Sequence, residues 1–136
     1  MIMYKPEHFI IQELVPREVY EERGTKAWEL IDNRLLITLD QLRDEYGPII
    51  VNNWHTGGDR EWSGLRTPDS PYYRPYSQHT FGRAADCLFD KVTVERVRRD
   101  ILNDKDMFPC ITSVELNTSW LHFDVRNCDR IKTYNK

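Results

Sequence analysis

The sequence has little cysteine, little glycine and no long apolar run. Its 136 residues include three cysteines, Cys87, Cys110 and Cys128, and six glycines. An odd number of cysteines without a metal-binding pair indicates free thiols rather than a disulfide framework. The apolar runs, such as Ile49–Val51, fall far short of the roughly 20 residues that a membrane-spanning helix needs, so we expect no membrane partner.

A strong charge of either sign is also absent. The chain carries 19 Lys and Arg against 22 Asp and Glu, a formal net charge of −3. This balance argues against a nucleic-acid partner, because such proteins neutralise phosphates with a basic surface. Met1–His8 lacks the layout of a secretory signal peptide, which predicts synthesis in the cytoplasm. The apolar content of 40% suffices for a packed core, and the length predicts one domain over 1–136, with a monomer as the simplest expectation.

Periodicity in the first third of the chain predicts helices over 16–46. Residues 16–23 form a short helix that ends at Gly24, and Lys26–Tyr46 form a long one with Thr25 as its N-cap. The long helix carries one apolar stripe: Trp28, Ile31, Leu35, Leu39, Leu42 and Tyr46. The later elements are strands at 49–54 and 84–89, a helix at 93–103, and a hairpin of 111–117 with 120–126. Helices before a small, mainly antiparallel sheet indicate an α+β fold.

A loop of nearly thirty residues, 55–83, separates the first two predicted strands. Loops this long inside a compact domain are usually functional. Aromatic residues and arginines alternate along it and suit either a binding cleft or ordinary loop packing: Trp54, Trp62, Tyr72, Tyr73, Tyr76, Arg60, Arg66 and Arg74.

Two short segments carry the residue types of a metal site. In Ser77–Asp86, His79 precedes a glycine turn, and Asp86 lies in a strand of small residues, where an ionised carboxylate needs a partner or a metal. In Ser119–Arg126, His122 lies mid-strand between apolar neighbours. Two imidazoles and one carboxylate are a common ligand set for catalytic zinc, with the fourth position open to water. Each residue taken alone also fits an ordinary hydrogen-bonded core position.

Together, the motif S-x-H-x-x-G-x-A-x-D over 77–86 and W-x-H over 120–122 resemble the zinc site of the D-Ala-D-Ala metallopeptidase group. This group includes D,D-carboxypeptidases, D,D-dipeptidases of vancomycin resistance, phage L-alanyl-D-glutamate endolysins and the Hedgehog signalling domain. The resemblance covers about residues 48–126. It implies a Hedgehog/D,D-peptidase-like fold and one Zn²⁺ per chain, held by His79, Asp86 and His122.

The segment Ser63–Arg66 also resembles a Ser-Gly-x-Arg segment that precedes the zinc motif in many members of the group. By that resemblance Arg66 faces the active site and holds a substrate carboxylate or carbonyl. The spacing to the zinc motif depends on the loop, and Arg60 and Arg74 are alternatives for this role. We also expect Trp120, the first residue of the second motif, to contact substrate.

One position departs from the pattern of the endolysins and carboxypeptidases. Those members carry an Asp or Glu as general base three residues before the last zinc histidine, and this chain has Ser119 there. A serine cannot accept the proton of an attacking water at neutral pH without a partner. Either the chain is inactive, or another carboxylate supplies the base.

Glu115 is the predicted base, on an argument from hairpin register. If the connection is a tight two-residue turn, Glu115 lies opposite Trp120 and diagonal to His122, on the same face and about 7–8 Å away between backbones. The apolar residues of both strands then fall on the other face. Asp124 shares the face of His122 and is the fallback base; it could also orient His122 or pair with Arg126. A solvated edge carboxylate is the plain alternative for Glu115.

The resemblance predicts a zinc-dependent peptidase that hydrolyses the peptide stem or cross-link of bacterial peptidoglycan. The stem peptide is then the partner, and a phage-type lytic or virion enzyme acting on the cell wall is the expected context. A rival from another class is a non-catalytic zinc-bearing binding or structural module of the same fold, which Ser119 favours. A third possibility is an unrelated α+β domain whose histidines and aspartate are core residues.

Overall fold

The computed structural model describes residues 3–136. Its three α-helices are α1 (Arg17–Arg23), α2 (Asn33–Tyr46) and α3 (Val94–Asn103). Its five strands are β1 (Ile49–Ile50), β2 (Ala84–Phe89), β3 (Ser113–Leu116), β4 (Leu121–Asp124) and β5 (Lys132–Asn135). They form one sheet in the order β1-β2-β4-β3-β5, antiparallel throughout except for the parallel pair β3 and β5. The expected combination of helices with a mostly antiparallel sheet is confirmed.

The prediction of one continuous helix over 26–46 is wrong. Residues Gly24–Leu30 form 3-10 turns, the backbone of Ile31 is extended, and α2 follows. The side chain of Asp32, not that of Thr25, caps α2 by accepting the backbone N–H of Arg34 at 2.8 Å. All six residues of the predicted apolar stripe are nevertheless buried. The stripe therefore predicts burial correctly, although the helix that carries it is interrupted.

Gly82, in the second half of the long loop, packs against this break. The N–H of Asp32 donates to the carbonyl of Gly82 at 2.9 Å. Gly82 has a φ of +68°, and a Cβ at this position would overlap the carbonyl oxygen of Leu30. Only glycine tolerates both the left-handed backbone and so close an approach. The interruption of the helix is thus fixed by the segment that leads into β2.

The first strand is shorter than the predicted 49–54, because only Ile49–Ile50 pairs with β2. Beyond it, the chain bonds to the N-terminal segment instead. The N–H of Asn52 donates to the carbonyl of Glu13 at 3.0 Å, and the indole N–H of Trp54 donates to that of Val15 at 2.8 Å. Because these partners are remote in sequence, no local pattern predicts the contacts.

The hairpin of β3 and β4 has a longer connection than the predicted two-residue turn. Ser113 pairs with Asp124 and Val114 with Phe123, so the register differs from the predicted one by two residues and the connection spans 117–120. A shift of two residues preserves the face of every side chain. Continued by one residue, the observed register places Glu115 directly opposite His122 rather than diagonal to it.

Arg98 from α3 explains the longer connection. Its Nη2 donates to the carbonyls of Thr118 and Trp120 at 3.0 and 3.1 Å. The hydroxyl of Thr118 donates to the carbonyl of Trp120 at 2.6 Å, and Asn117 has a φ of 62°. These bonds satisfy the backbone carbonyls of Thr118 and Trp120 in a connection that is two residues longer than the predicted turn.

The last strand, β5, was not expected. Its four residues are polar apart from Tyr134 and mostly exposed, so no apolar alternation marks them. The strand pairs parallel to β3, with Glu115 opposite Tyr134. It extends the sheet by one strand on the side of β3.

The core lies between the helical part and one face of the sheet. Leu121 and Phe123 of β4 and Ala85 of β2 point into it, together with the apolar side of α2. The alternate residues of the same strands, among them Asp86 and His122, point to the other face. Within the described residues, no helix combines the length and apolar character that crossing a membrane requires.

Candidate metal centre

His79 is held by a short 3-10 helix, Gln78–Phe81, at the end of the long loop. The Ser77 hydroxyl caps this turn by accepting the backbone N–H of His79 at 3.2 Å. The His79 ring nitrogen Nδ1 lies 2.8 Å from the carbonyl oxygen of Gly64. Because a carbonyl only accepts, Nδ1 carries the hydrogen, which leaves Nε2 as the nitrogen that could bind a metal ion. That nitrogen lies 3.3 Å from Oδ1 of Asp86.

Gly64 can accept this bond because its backbone comes close to the N-terminal segment. A Cβ on Gly64 would overlap the carbonyl oxygen of Leu14, and the next N–H, of Leu65, donates to that same carbonyl at 2.9 Å. The close approach requires glycine. The sequence Ser-Gly-x-Arg thus contributes a backbone carbonyl that orients His79, as well as the arginine for which it was singled out.

Asp86 and His122 are direct cross-strand partners on β2 and β4. Nδ1 of His122 lies 2.8 Å from Oδ1 of Asp86. One ligand atom from each of His79, Asp86 and His122 lies within 4.8 Å of the others, and all three residues are buried. The structure therefore brings the three predicted ligands together.

Asp124 lies behind His122 and is fully buried. It accepts the Nε2 hydrogen of His122 at 2.9 Å, and Arg126 donates to its two oxygens from Nε and Nη2, each at 2.7 Å. Burial alone raises the pKa of Asp124, but the hydrogen bonds from Arg126 and His122 outweigh it and hold the pKa below its usual range. Asp124 thus orients His122 and pairs with Arg126 at once, and it is not part of the cleft lining, where a base would have to be.

The buried charges of the cluster depend on one another. Burial by itself raises the pKa of Asp86, but the charge of His79 and the hydrogen bond from His122 hold it well below its usual range. Burial lowers the pKa of His122, but hydrogen bonds to Asp124 and Asp86 outweigh it and raise the pKa to about 9. A proton on Nδ1 of His122 therefore bridges to Asp86. A bound metal would displace that proton, because a ligand imidazole must present a lone pair.

The donor set fits a metal ion. Each imidazole has one nitrogen bonded to an oxygen that only accepts, and its other nitrogen faces the carboxylate of Asp86. Orientation of ligand histidines by a backbone carbonyl and by a carboxylate is the usual arrangement around protein-bound metals. The buried His79–Asp86–His122 group could hold a metal ion, with Nε2 of His79 and Nδ1 of His122 as the ligand nitrogens.

A cleft of about 660 Å³ opens over the cluster. Of the predicted substrate residues, both Arg66 and Trp120 line it. Arg66 donates from Nη2 to Oδ2 of Asp86 at 3.1 Å and lies against the ring of Tyr72, 5.5 Å from its centroid. Of the alternatives, Arg60 also lines the cleft but donates to the backbone carbonyls of Val51 and Asp86, and Arg74 lies outside the lining.

Glu115 and Ser119 differ in their relation to this cleft. Glu115 is half-buried and lines the cleft beside His122, whereas Ser119 is exposed in the connection and is not part of the lining. Of these two positions, it is therefore Glu115 that brings its side chain to the cleft. This placement agrees with the face predicted for Glu115, although the register that led to it was wrong.

Sequence reasoning missed four residues of the lining: Asp59 and Glu61 of the long loop, and Tyr134 and Lys136, which belong to or follow β5. Among the loop aromatics, Trp62 and Tyr72 line the cleft, whereas Trp54, Tyr73 and Tyr76 are not part of the lining and stand elsewhere on the loop: Trp54 packs on Tyr20, and Tyr76 is 87% exposed. No motif marks Tyr134, because the strand that carries it has no pattern of its own.

Comparison with known proteins adds no relative. No family model, no curated protein and no solved structure matches this chain.

Proposed function

We propose that the chain is a zinc-dependent peptidase of the D-Ala-D-Ala metallopeptidase type, with a Hedgehog/D,D-peptidase-like fold. Its substrate is the peptide stem or cross-link of bacterial peptidoglycan, in the setting of a phage-type lytic or virion enzyme. The observation that carries the proposal is the oriented, buried cluster of His79, Asp86 and His122, with Glu115 beside it in one cleft. The family in this proposal rests on the resemblance of the two sequence motifs, over 77–86 and 120–122.

In this proposal His79, Asp86 and His122 hold one Zn²⁺. Zinc bound there would supply a Lewis acid for the scissile carbonyl and would lower the pKa of water towards ~7. The donor set of two nitrogens and one carboxylate oxygen, with a neighbouring cleft, fits a catalytic rather than a purely structural zinc site. Asp124 and Arg126 keep the ring of His122 in place through the hydrogen bonds described above.

Glu115 is the proposed general base. Cross-strand neighbours on one face are about 4.5–5.5 Å apart at Cβ, so the carboxylate reaches the space in front of His122. There it accepts a proton from the attacking water and delivers it to the leaving amine. Asp86 cannot share this role, because it is already bonded to Arg66 and to both histidines.

Arg66 and Trp120 lie on the lining where a peptide would run. Arg66 brings a positive charge into the cleft and suits a substrate carbonyl or carboxylate. Trp120 offers an aromatic surface, over which Nζ of Lys136 lies 4.6 Å from the ring centroid. The lining carries charges of both signs, since Asp59 and Glu61 face the same cleft as Arg66 and Lys136. Such a lining suits a short peptide with charged groups of both signs, such as a stem peptide.

Substitution of Glu115 tests the proposal. Glu115→Gln keeps the shape and the ligand set, so it should keep zinc and fold while losing roughly 10²–10⁴-fold in rate. The matched control Ser119→Ala changes an exposed residue of the neighbouring connection and should be nearly silent. Rates are measured on purified peptidoglycan, with the released fragments identified by mass spectrometry, and casein serves as a non-wall substrate that should stay largely intact.

Two outcomes would overturn the proposal. Full turnover by zinc-loaded Glu115→Gln would show that another group is the base. A wild-type protein that binds zinc but releases no wall fragment would instead support the non-catalytic module, the reading that Ser119 favours.

A further inference from the structure

Four polar residues stand side by side across four strands of the sheet. Asp86 on β2 pairs with His122 on β4, and Glu115 on β3 pairs with Tyr134 on β5. The continued register of β3 and β4 joins the two pairs into one row. All four residues line the same cleft. In the order of the strands, Glu115 on β3 therefore stands between His122 on β4 and Tyr134 on β5.

The ring of Tyr134 is fixed by two neighbours. It meets the ring of His122 edge-on, with 5.9 Å between centroids and 76° between planes. The guanidinium of Arg126 lies 5.2 Å from the Tyr134 centroid while its nitrogens hold Asp124. A ring held by an imidazole and by a guanidinium has little rotamer freedom, so its hydroxyl occupies a defined place in the cleft.

At neutral pH the hydroxyl of a tyrosine is protonated, because the ordinary pKa of a phenol is about 10. Tyr134 is half-buried opposite Glu115 on the neighbouring strand, and both side chains line the cleft. A protonated phenol next to a carboxylate is a hydrogen-bond donor to it. Glu115 is the carboxylate that stands beside the phenol in the row.

We propose that Tyr134 is a positioning residue of the reaction centre, whose hydroxyl donates to the Glu115 carboxylate and holds it towards the cluster of His79, Asp86 and His122. This inference rests on the proposed function, in which Glu115 is the base. Without the hydroxyl, the flexible side chain of Glu115 would sample rotamers that turn its carboxylate away from the reacting water.

Tyr134→Phe isolates the hydroxyl, because the ring and its contacts with His122 and Arg126 are kept. We expect kcat on stem peptide to fall roughly 10- to 100-fold, as for loss of a hydrogen bond to a charged group. KM, zinc content and thermal stability should stay close to the wild-type values. The matched control is Tyr76→Phe, which removes the hydroxyl of an exposed tyrosine outside the cleft lining and should leave kcat unchanged.

A double-mutant cycle separates positioning of Glu115 from a general effect. In the Glu115→Gln background the further change Tyr134→Phe should cost about twofold or less, because the group that the hydroxyl positions is gone. Equal losses in both backgrounds would overturn the proposal, as would a Tyr134→Phe variant with wild-type kcat.

An NMR measurement tests the contact without any turnover. With tyrosine labelled by ¹³C at Cζ, the resonance of Tyr134 is assigned from its absence in Tyr134→Phe. It should move in Glu115→Ala and stay in place in Asp59→Asn, which changes an exposed acid of the same cleft. An unmoved resonance in Glu115→Ala overturns the proposal, whatever the turnover of Tyr134→Phe. If the wild type cleaves no stem peptide, the proposed function fails, while this measurement still decides whether the hydroxyl holds Glu115.

Discussion

Asp124 has both carboxylate oxygens engaged and no exposed surface. One oxygen accepts the Nε2 hydrogen of His122, which leaves Nδ1 of that ring to face Asp86. A carboxylate behind a ligand histidine fixes its tautomer and raises its basicity. At the scale of single residues, Asp124 would therefore act on a metal ion in the proposed site through His122, and not on a substrate.

The variant Asp124→Asn tests this role. We expect the affinity for zinc to fall by about 10- to 100-fold, as is usual when the partner of a ligand histidine is neutralised. Competition with a chromophoric chelator measures the affinity, and circular dichroism checks the fold. The control Asp59→Asn removes an exposed acid of the cleft that is outside the cluster and should bind zinc as the wild type does. Unchanged affinity in a folded Asp124→Asn protein would contradict the role.

Among single residues, the three members of the cluster were predictable from the sequence, and their neighbours were not. The two motifs single out His79, Asp86 and His122 through their resemblance to a known zinc site, and these three residues meet in the structure. The face of Glu115 follows from alternation along β3, which survives an error of two residues in register. Tyr134 was not predictable, because its place beside Glu115 arises from a parallel strand pairing between remote segments.

At the scale of elements, the N-terminus of α2 depends on Asp32. Its side chain accepts the N–H of Arg34 and pairs with the Arg34 guanidinium, with 2.9 Å between Nη2 and Oδ2. Burial raises the pKa of Asp32, but the hydrogen bonds from Arg34 outweigh it and lower the pKa. The folded state therefore binds the Asp32 proton less tightly than the unfolded state does.

We expect Asp32→Ala to lower the free energy of unfolding by about 1 kcal/mol at pH 7, the usual cost of losing an N-cap. Because the folded pKa is depressed, the stabilisation is fully present above the ordinary pKa of about 3.9 and is lost as the pH falls through the folded value. Urea unfolding at pH 7 and at pH 3 measures both values, and the difference from wild type should shrink at pH 3. The control Glu45→Ala, at an exposed position of α2, should be nearly neutral, and an equal cost in both variants would contradict the cap.

At the scale of the whole molecule, the candidate ligands join separate parts of the chain. His79 belongs to the long loop, Asp86 to β2 and His122 to β4. The loop is tied to the sheet at this cluster and also through its backbone, where the N–H of Asp86 donates to the carbonyl of Ser63 at 2.8 Å. An ion bound by all three residues would stabilise the folded chain, since an unfolded chain has no preformed site.

Zinc should therefore raise the stability of the protein by about 2.7 kcal/mol when the free ion is at 100 times its Kd. Thermal unfolding with and without zinc measures the effect, and a chelator should reverse it. His79→Ala, Asp86→Ala and His122→Ala should each lose the zinc-dependent part. Stoichiometric zinc in His122→Ala, or an equal rise in melting temperature with and without His79, would contradict the assignment of the ligands.

Local patterns in the sequence determined which residues are buried and which polar residues meet in the cluster. The stripe from Trp28 to Tyr46 predicted burial, alternation predicted the two faces of β3 and β4, and the motifs predicted the ligands. Such patterns report neighbours within a few positions of the chain, because a helix repeats every 3.6 residues and a strand every two. Predictions of burial from such patterns therefore stay correct even where the helix is interrupted, as it is between Trp28 and Tyr46.

Only the tertiary structure decided where the elements are interrupted and what surrounds the site. The helix breaks at Asp32 because Gly82 packs there, the hairpin widens because Arg98 bonds to its connection, and β5 forms because β3 offers a free edge. Each partner lies many positions away along the chain, and its contribution appears only after the chain has folded. For the same reason no local pattern predicted Tyr134 in the cleft, because its neighbour Glu115 is close in space but remote in sequence.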